Sequence, residues 1–446
     1  MKSVLIVSDD EIGSRMAGPG IRYYHFAREL SKHYNVALVV PTAPKAWHED
    51  FEVLQASDWL GRRFRSLARR YDALVAKTLR CWTMRALVRD DVRVIYDLYD
   101  PFFLGNLDFH AGEDVSERRR RLAFRAPTLL QEIALLTGDG FVCASERQRD
   151  LWIGMLGAVG RIDPETAAED PDLRDLVDVV PFGLESEPPV ATKPALKGVI
   201  PGIGERDKVL LWGGGIWNWL DPLTPIRAVH ALAQKRDDVK LFFLGVEHPN
   251  PGVQQQAMAA RAVELAKELG LYDRFVFFNF GWVPYEGRAN YLLESDLGIS
   301  GHPDTVESRF AFRTRLLDYF WAGLPTVATQ GDVLSDLVEE ANLGRAVPAG
   351  SVEGWTRAIE ELLTDNSEYA QVRRNVVEAR DAFAWPRVVM PLVRLAGLAK
   401  SPQPTRSSAV ATVRYGAVAT QDLLLRRGLV SGVREGYRVL RRSPVP

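Results

Sequence analysis

Two cysteines, Cys81 and Cys143, are all that the 446-residue chain contains. Their separation fits neither a C-x-x-C redox motif nor a zinc site, so two buried thiols in a reducing compartment are expected rather than a disulfide framework. Histidine is also scarce, with 7 residues, and none stands near Asp or Glu at metal-ligand spacing, so no required metal is expected. No apolar run reaches the ~18 residues needed to cross a bilayer. The opening MKSVLIVSDD has a short apolar run that ends in acids, which reads as a first strand and not as a signal peptide. Charge of one sign is missing too: the formal net charge is −2, which argues against a nucleic-acid partner. Neither a G-x-G-x-x-G fingerprint nor a P-loop lysine is present, which disfavours a nicotinamide enzyme.

What is present is the composition of a globular protein, 46% hydrophobic and 26% charged. The length suits about two or three domains. Short β-branched runs predict buried strands at 4–7, 36–40, 71–75, 92–96 and 140–144. Helical patterns separate them, at 21–32, 83–89, 129–136 and 147–156, the last capped by Ser145-Glu146. After a proline- and glycine-rich stretch at 186–205 the alternation restarts, with strands at 208–212, 239–244, 275–278, 297–299 and 326–329. The reading is α/β, with two successive domains of parallel αβ units. Ligands of such sheets bind beyond the carboxyl ends of the strands. Those ends are 8–20, 97–101, 213–217, 245–248, 279–284 and 302–315, and an interdomain cleft is the expected site.

Several constellations fall on these loops. Gly213-Gly214-Gly215 follows a strand, and such glycines let backbone N–H groups approach a phosphate. Gly18-Pro19-Gly20 precedes a helix in the same manner. Arg309, Arg313 and Arg315 stand at a loop-to-helix junction that ends at Ala322-Gly323-Leu324-Pro325. Arginine at a helix start opposes the dipole unless an anion binds there, and its fork suits phosphate oxygens. Asp318 lies three residues on, placed for a salt bridge to Arg315 or for ribose hydroxyls. Glu307 suits a surface acid or a sugar contact, and Asp97 and Asp100 suit turn caps or an acceptor-side base. His302 is expected to face the cleft. The tail from 401 to 446 carries eight arginines against Asp422 and Glu435, a basic amphipathic or poorly ordered segment that suits an acidic membrane surface.

Together GPGIRYYHFARELSKHYNVALV, VVPFGL, GGGIWNWLDPLTPIRAVHAL and, most specifically, TRLLDYFWAGLPTVAT resemble the retaining GT-B glycosyltransferases of family 4, over about residues 1–395. The resemblance implies two Rossmann-like domains: an acceptor-side domain at 1–185, a linker at 186–205 and a nucleotide-sugar domain at 206–380. A crossover helix at 381–400 and the tail at 401–446 complete the chain. It implies an NDP-sugar donor with no required cofactor, and as acceptor the hydroxyl of a glycan, a lipid-linked saccharide or a small molecule. Polysaccharide or glycoconjugate synthesis, in the cytoplasm or on the inner membrane surface, is the matching context. Carried over by position, Arg315 takes the diphosphate, Asp318 the ribose, Gly214 and Gly215 underlie the phosphates, and Val283 and Tyr285 flank the base. Gly18 to Gly20 face the donor, and Asp97 and Asp100 fall on the acceptor or catalytic loop. Two departures stand out. Phe310 occupies the position eight before Asp318 where the family has glutamate, with Glu307 the nearest acid. Asn218-Trp219-Leu220-Asp221 stands where many relatives have a basic residue, a role open to Arg309 or Arg313. The alternatives are a non-catalytic nucleotide-sugar-binding or scaffold protein, and another enzyme of this fold, such as an epimerase or pseudo-glycoside synthase.

Overall fold

The computed structural model describes residues 1–14, 16–43, 49–59, 61–108, 116–246, 256–400 and 408–421. These form two compact units: residues 1–107, 116–182 and 386–421 belong to one, and 183–385 to the other.

The first unit is built on a seven-stranded sheet. Its strands are β1 (Ser3–Val7), β2 (Asn35–Val40), β3 (Glu52–Gln55), β4 (Ala73–Ala76), β5 (Arg93–Asp97), β6 (Gly140–Cys143) and β7 (Val177–Val179). All pairs are parallel, in the order β3-β2-β1-β4-β5-β6-β7. The central strands are covered on both faces, which is why β1 and β4 read as unbroken apolar runs. The second unit holds β8 (Lys208–Trp212), β9 (Val239–Phe243), β10 (Val276–Phe278), β11 (Leu297–Ser300), β12 (Thr326–Thr329) and β13 (Gly344–Val347). They are again parallel, in the order β10-β9-β8-β11-β12-β13. Strand order reverses between β1 and β4 in one sheet and between β8 and β11 in the other, and such switch points are where doubly wound sheets open a crevice.

Four sequence expectations are corrected. Helix Gly18–Leu30 takes Gly18-Pro19-Gly20 as its first turn, with Pro19 needing no N–H partner there, so these residues are not the end of a loop. Helix Glu117–Thr137 is continuous and begins 12 residues before the helix expected at 129–136. Strands β3, β7 and β13 were not expected. β3 is a half-buried edge, and β13 opens on Gly344, where any Cβ would collide with the Thr326 backbone. The stretch 186–205 is part of the second unit, not a linker: the N–H groups of Ala195, Leu196 and Lys197 all donate to the Glu294 carboxylate. Leu196 and Ile203 are buried beside them.

The ends of the second unit meet. Leu184 N–H donates to Phe383 O at 2.8 Å and Trp385 N–H donates to Leu184 O at 3.1 Å. Gly183 is bare because a Cβ would enter the Trp385 ring. From Pro386 the chain groups with the first unit, and helix Met390–Gly397 lies against β4, β5 and β7. Residues 408–421 are helical. Tyr415 and Val418 pack against Leu122 and Leu129, and the rest of the basic tail lies outside the described residues.

One side chain sets the second switch point. Tyr319, on the helix Arg315–Trp321, is fully buried where β8 and β11 part. Its hydroxyl accepts from Gly213 N–H at 2.7 Å and lies 2.9 Å from both Leu211 O and Ile299 O, which share its single proton. Gly298 makes room for the ring, since a Cβ there would overlap it. The Gly298→Ala variant should therefore lose about 1–3 kcal/mol by overpacking, read as a lower urea midpoint at unchanged m-value.

Candidate functional site

The turn after β8 is held open on one side. Gly213 is anchored by Tyr319, and Gly214 adopts φ +85°, with no neighbour where a side chain would begin. The Gly215 carbonyl accepts from Arg315 Nη2 at 2.9 Å. The Arg315 guanidinium lies over the Trp212 ring, 4.6 Å from its centroid. Burial lowers its pKa to about 10, helped by Arg313 and opposed by Tyr319 and Asp332, so it stays charged at neutral pH. Its Nη1 is sealed from solvent and has no hydrogen-bond partner among the described residues. A buried donor left unmade costs about 1–3 kcal/mol, and more when charged. A bound anion within reach of Nη1 would remove that cost. The helix that Arg315 begins has only seven residues, so the guanidinium, and not the helix dipole, carries the anion argument.

One turn along the same helix, Asp318 accepts from Arg288 Nε at 3.1 Å. The i,i+3 pairing with Arg315 does not form; Arg288 takes its place. Tyr285 begins the short turn after Pro284 and is half-buried, as is Val283. Burial raises the Tyr285 phenol well above its ordinary range, with Glu185 and Asp318 adding and Arg288 opposing.

The remaining residues of the arginine loop are committed elsewhere. Arg313 forms a fork with Glu307, at 3.1 and 2.6 Å, and both are nearly buried. The two expected ligand contacts thus satisfy one another, although Arg313 Nε remains buried without a partner. Arg309 and Phe310 close the five-residue helix Val306–Phe310, with the guanidinium 6.0 Å from the ring. His302 does not face open space. It is buried, with Nδ1 3.0 Å from Pro303 O and Nε2 3.1 Å from Thr329 O. Asp332 Oδ2 is also 3.1 Å from Nε2, but the hydrogen-bond geometry favours Thr329 O.

In the first unit both candidate acids are ion-paired. Asp97, at the end of β5, is buried and grips Arg22 at 2.7 and 2.9 Å. Arg22 also donates to Val180 O and Pro181 O at 2.8 and 3.0 Å. Asp97 therefore is not a free base. Asp100 pairs with Lys77, after β4, at 3.3 Å, and remains half-exposed. Asp10 Oδ2 accepts from the N–H groups of Ala17 and Gly20, both at 3.3 Å. Burial raises the Asp10 pKa while those N–H groups hold it down. An internal carboxylate thus occupies the helix start expected to face a donor. Gly20 is glycine because a Cβ would strike Glu11 O, whereas Gly18 is in open space.

Sequence reasoning missed Arg22 and Arg288. Arg22 did leave a trace: Arg22 and Phe26 stand i,i+4 on the buried helix face, and an arginine there demands a buried acid. Arg288 left none, because its carboxylate partner Asp318 and the second ring, Trp321, lie on a helix 30 residues on. Removing the acid of the first pair is the sharper test. Asp97→Ala leaves Arg22 buried without a counter-ion and should cost about 3–5 kcal/mol, read by urea unfolding.

Several solved structures share the fold. HepE of Anabaena, crystallised with UDP and glucose, is 15% identical, with 89% of this chain and 100% of that one covered and a TM-score of 0.62. The sucrose-phosphate synthase of Thermosynechococcus elongatus is 14% identical, over 89% of this chain and 98% of that one, with a TM-score of 0.61. WaaG, a glycosyltransferase involved in lipopolysaccharide biosynthesis, is 16% identical, over 88% and 98%, with a TM-score of 0.58. At these identities the likeness is one of fold, the GT-B architecture of two Rossmann-like units. None of the curated proteins matches the sequence. Residues 201–379, which span the whole sheet of the second unit, match the family described as Glycosyl transferases group 1.

Proposed function

We propose that the protein is a retaining glycosyltransferase that moves a sugar from a nucleoside-diphosphate sugar to an acceptor hydroxyl. The observation that carries this reading is the buried, unpartnered Nη1 of Arg315 beside the open Gly214–Gly215 turn. Structures of HepE with UDP and with UDP-glucose support a donor of that class. In this reading Arg315 and the turn hold the diphosphate, Asp318 takes ribose hydroxyls, and Val283 and Tyr285 lie by the base.

Each candidate acid is already engaged: Asp97 by Arg22, Asp100 by Lys77 and Glu307 by Arg313. The proposed chemistry therefore relies on stabilising the departing diphosphate, where charge develops in the transition state. Arg315 supplies that positive charge, so turnover should be insensitive to EDTA. The acceptor is a glycan, a lipid-linked saccharide or a small molecule. The basic tail favours an acidic membrane surface on the cytoplasmic side, which suits synthesis of a polysaccharide or glycoconjugate.

Calorimetric titration with UDP and GDP tests the site. Arg315→Ala should weaken the bound nucleotide about 10- to 100-fold, the loss expected for a charge-assisted contact, and Arg315→Lys should recover part of it. Equal affinity in Arg315→Ala would remove the site. Co-sedimentation with acidic liposomes tests the tail: deletion of residues 401–446 should abolish pelleting, and equal pelleting defeats the membrane contact.

A further inference from the structure

We infer that Arg288 is a positioning residue that presents Asp318 to a ribose, making the site selective for ribonucleoside over dideoxyribonucleoside diphosphates. The inference rests on the reading of the second unit as a nucleoside-diphosphate site.

Asp318 by itself is a poor ribose ligand. Its side chain is 44% exposed and free to rotate toward water. Arg288 removes that freedom. Its guanidinium lies between two aromatic rings, 3.6 Å from the Tyr285 centroid and 4.5 Å from the Trp321 centroid. Nη1 donates to Tyr285 O at 2.9 Å, and Nε donates to Asp318 Oδ1 at 3.1 Å. The rings are themselves tied down. Trp321 Nε1 donates to Glu187 O at 2.7 Å, and Tyr285 OH donates to Glu185 Oε1 at 3.3 Å. The side chain of Arg288 is 14% exposed, so the fork is rigid where the acid is open.

One carboxylate oxygen is thereby fixed and the other carries no hydrogen bond among the described residues. A vicinal diol offers two O–H donors to such an oxygen, and a dideoxyribose offers none. Arg315, Asp318 and Trp321 stand on successive turns of one short helix. The phosphate contact, the ribose contact and the ring that steadies Arg288 therefore share one rigid element, and rigid placement is what converts a contact into selectivity. Lysine does not replace arginine here, because an ammonium has no planar face to sandwich.

The test is a pair of titrations, UDP against 2′,3′-dideoxy-UDP, repeated with the corresponding GDP pair. The wild type should prefer the ribonucleotide about 10- to 100-fold, the worth of a hydrogen bond to a charged group. In Arg288→Leu the preference should fall to within about threefold while dideoxy-UDP binds as before, because Arg315 is untouched. Arg288→Lys should retain an intermediate preference, and it carries the test if the leucine variant melts too low to titrate. An undiminished preference in both variants overturns the inference, as does a wild type that binds both nucleotides equally. A wild type that binds no nucleoside diphosphate overturns the reading of the second unit as well.

Discussion

The phenol of Tyr319 sits where β8 and β11 separate, and its hydroxyl joins three backbone segments at distances of 2.7 to 2.9 Å. Those segments are the end of β8, the start of the glycine turn and the end of β11. A parallel sheet opens at such a switch point, and the opening leaves strand-end backbone groups without ladder partners. Tyr319 supplies the partners. In doing so it locks the turn that carries Gly214 and Gly215 to the helix that carries Arg315 and Asp318. Gly298 and Gly213 are consequences of this arrangement, since each stands against the ring.

Charge is handled in two different ways. Arg22 with Asp97, and Arg313 with Glu307, are forked pairs removed from water and closed on themselves. Such pairs hold geometry, because the desolvation they suffer is matched by their mutual attraction only in one arrangement. Arg315 is different. It has a carbonyl and an aromatic face for partners but no carboxylate, and one of its donors remains unmade. That difference is why Arg315, and not the Glu307-paired Arg313, is the proposed anion contact.

The first unit shows the same economy at its own switch point. Its opening helix has glycines and a free N-terminus, features that suggest an anion site. Asp10, two residues after Ser8, accepts from Ala17 and Gly20 N–H and fills it. The acids after β5 are likewise spoken for, by Arg22 and Lys77.

Much of this was legible in the chain itself. Unbroken apolar runs placed the central strands of both sheets, because parallel strands covered on both faces leave no room for alternation. Gly323, at φ +65°, ended the key helix where the glycine–proline signal put it. Edge strands such as β3 and β13 escaped notice because half-buried or glycine-containing segments carry little pattern. The local sequence also marked the Arg309–Asp318 stretch as a candidate site. Which arginine is free, and which acid is locked, was decided only in three dimensions. Arg22 finds Asp97 across 75 residues and Arg288 finds Asp318 across 30. Pairing over such distances depends on strand order and helix placement, and no periodicity in the chain encodes it.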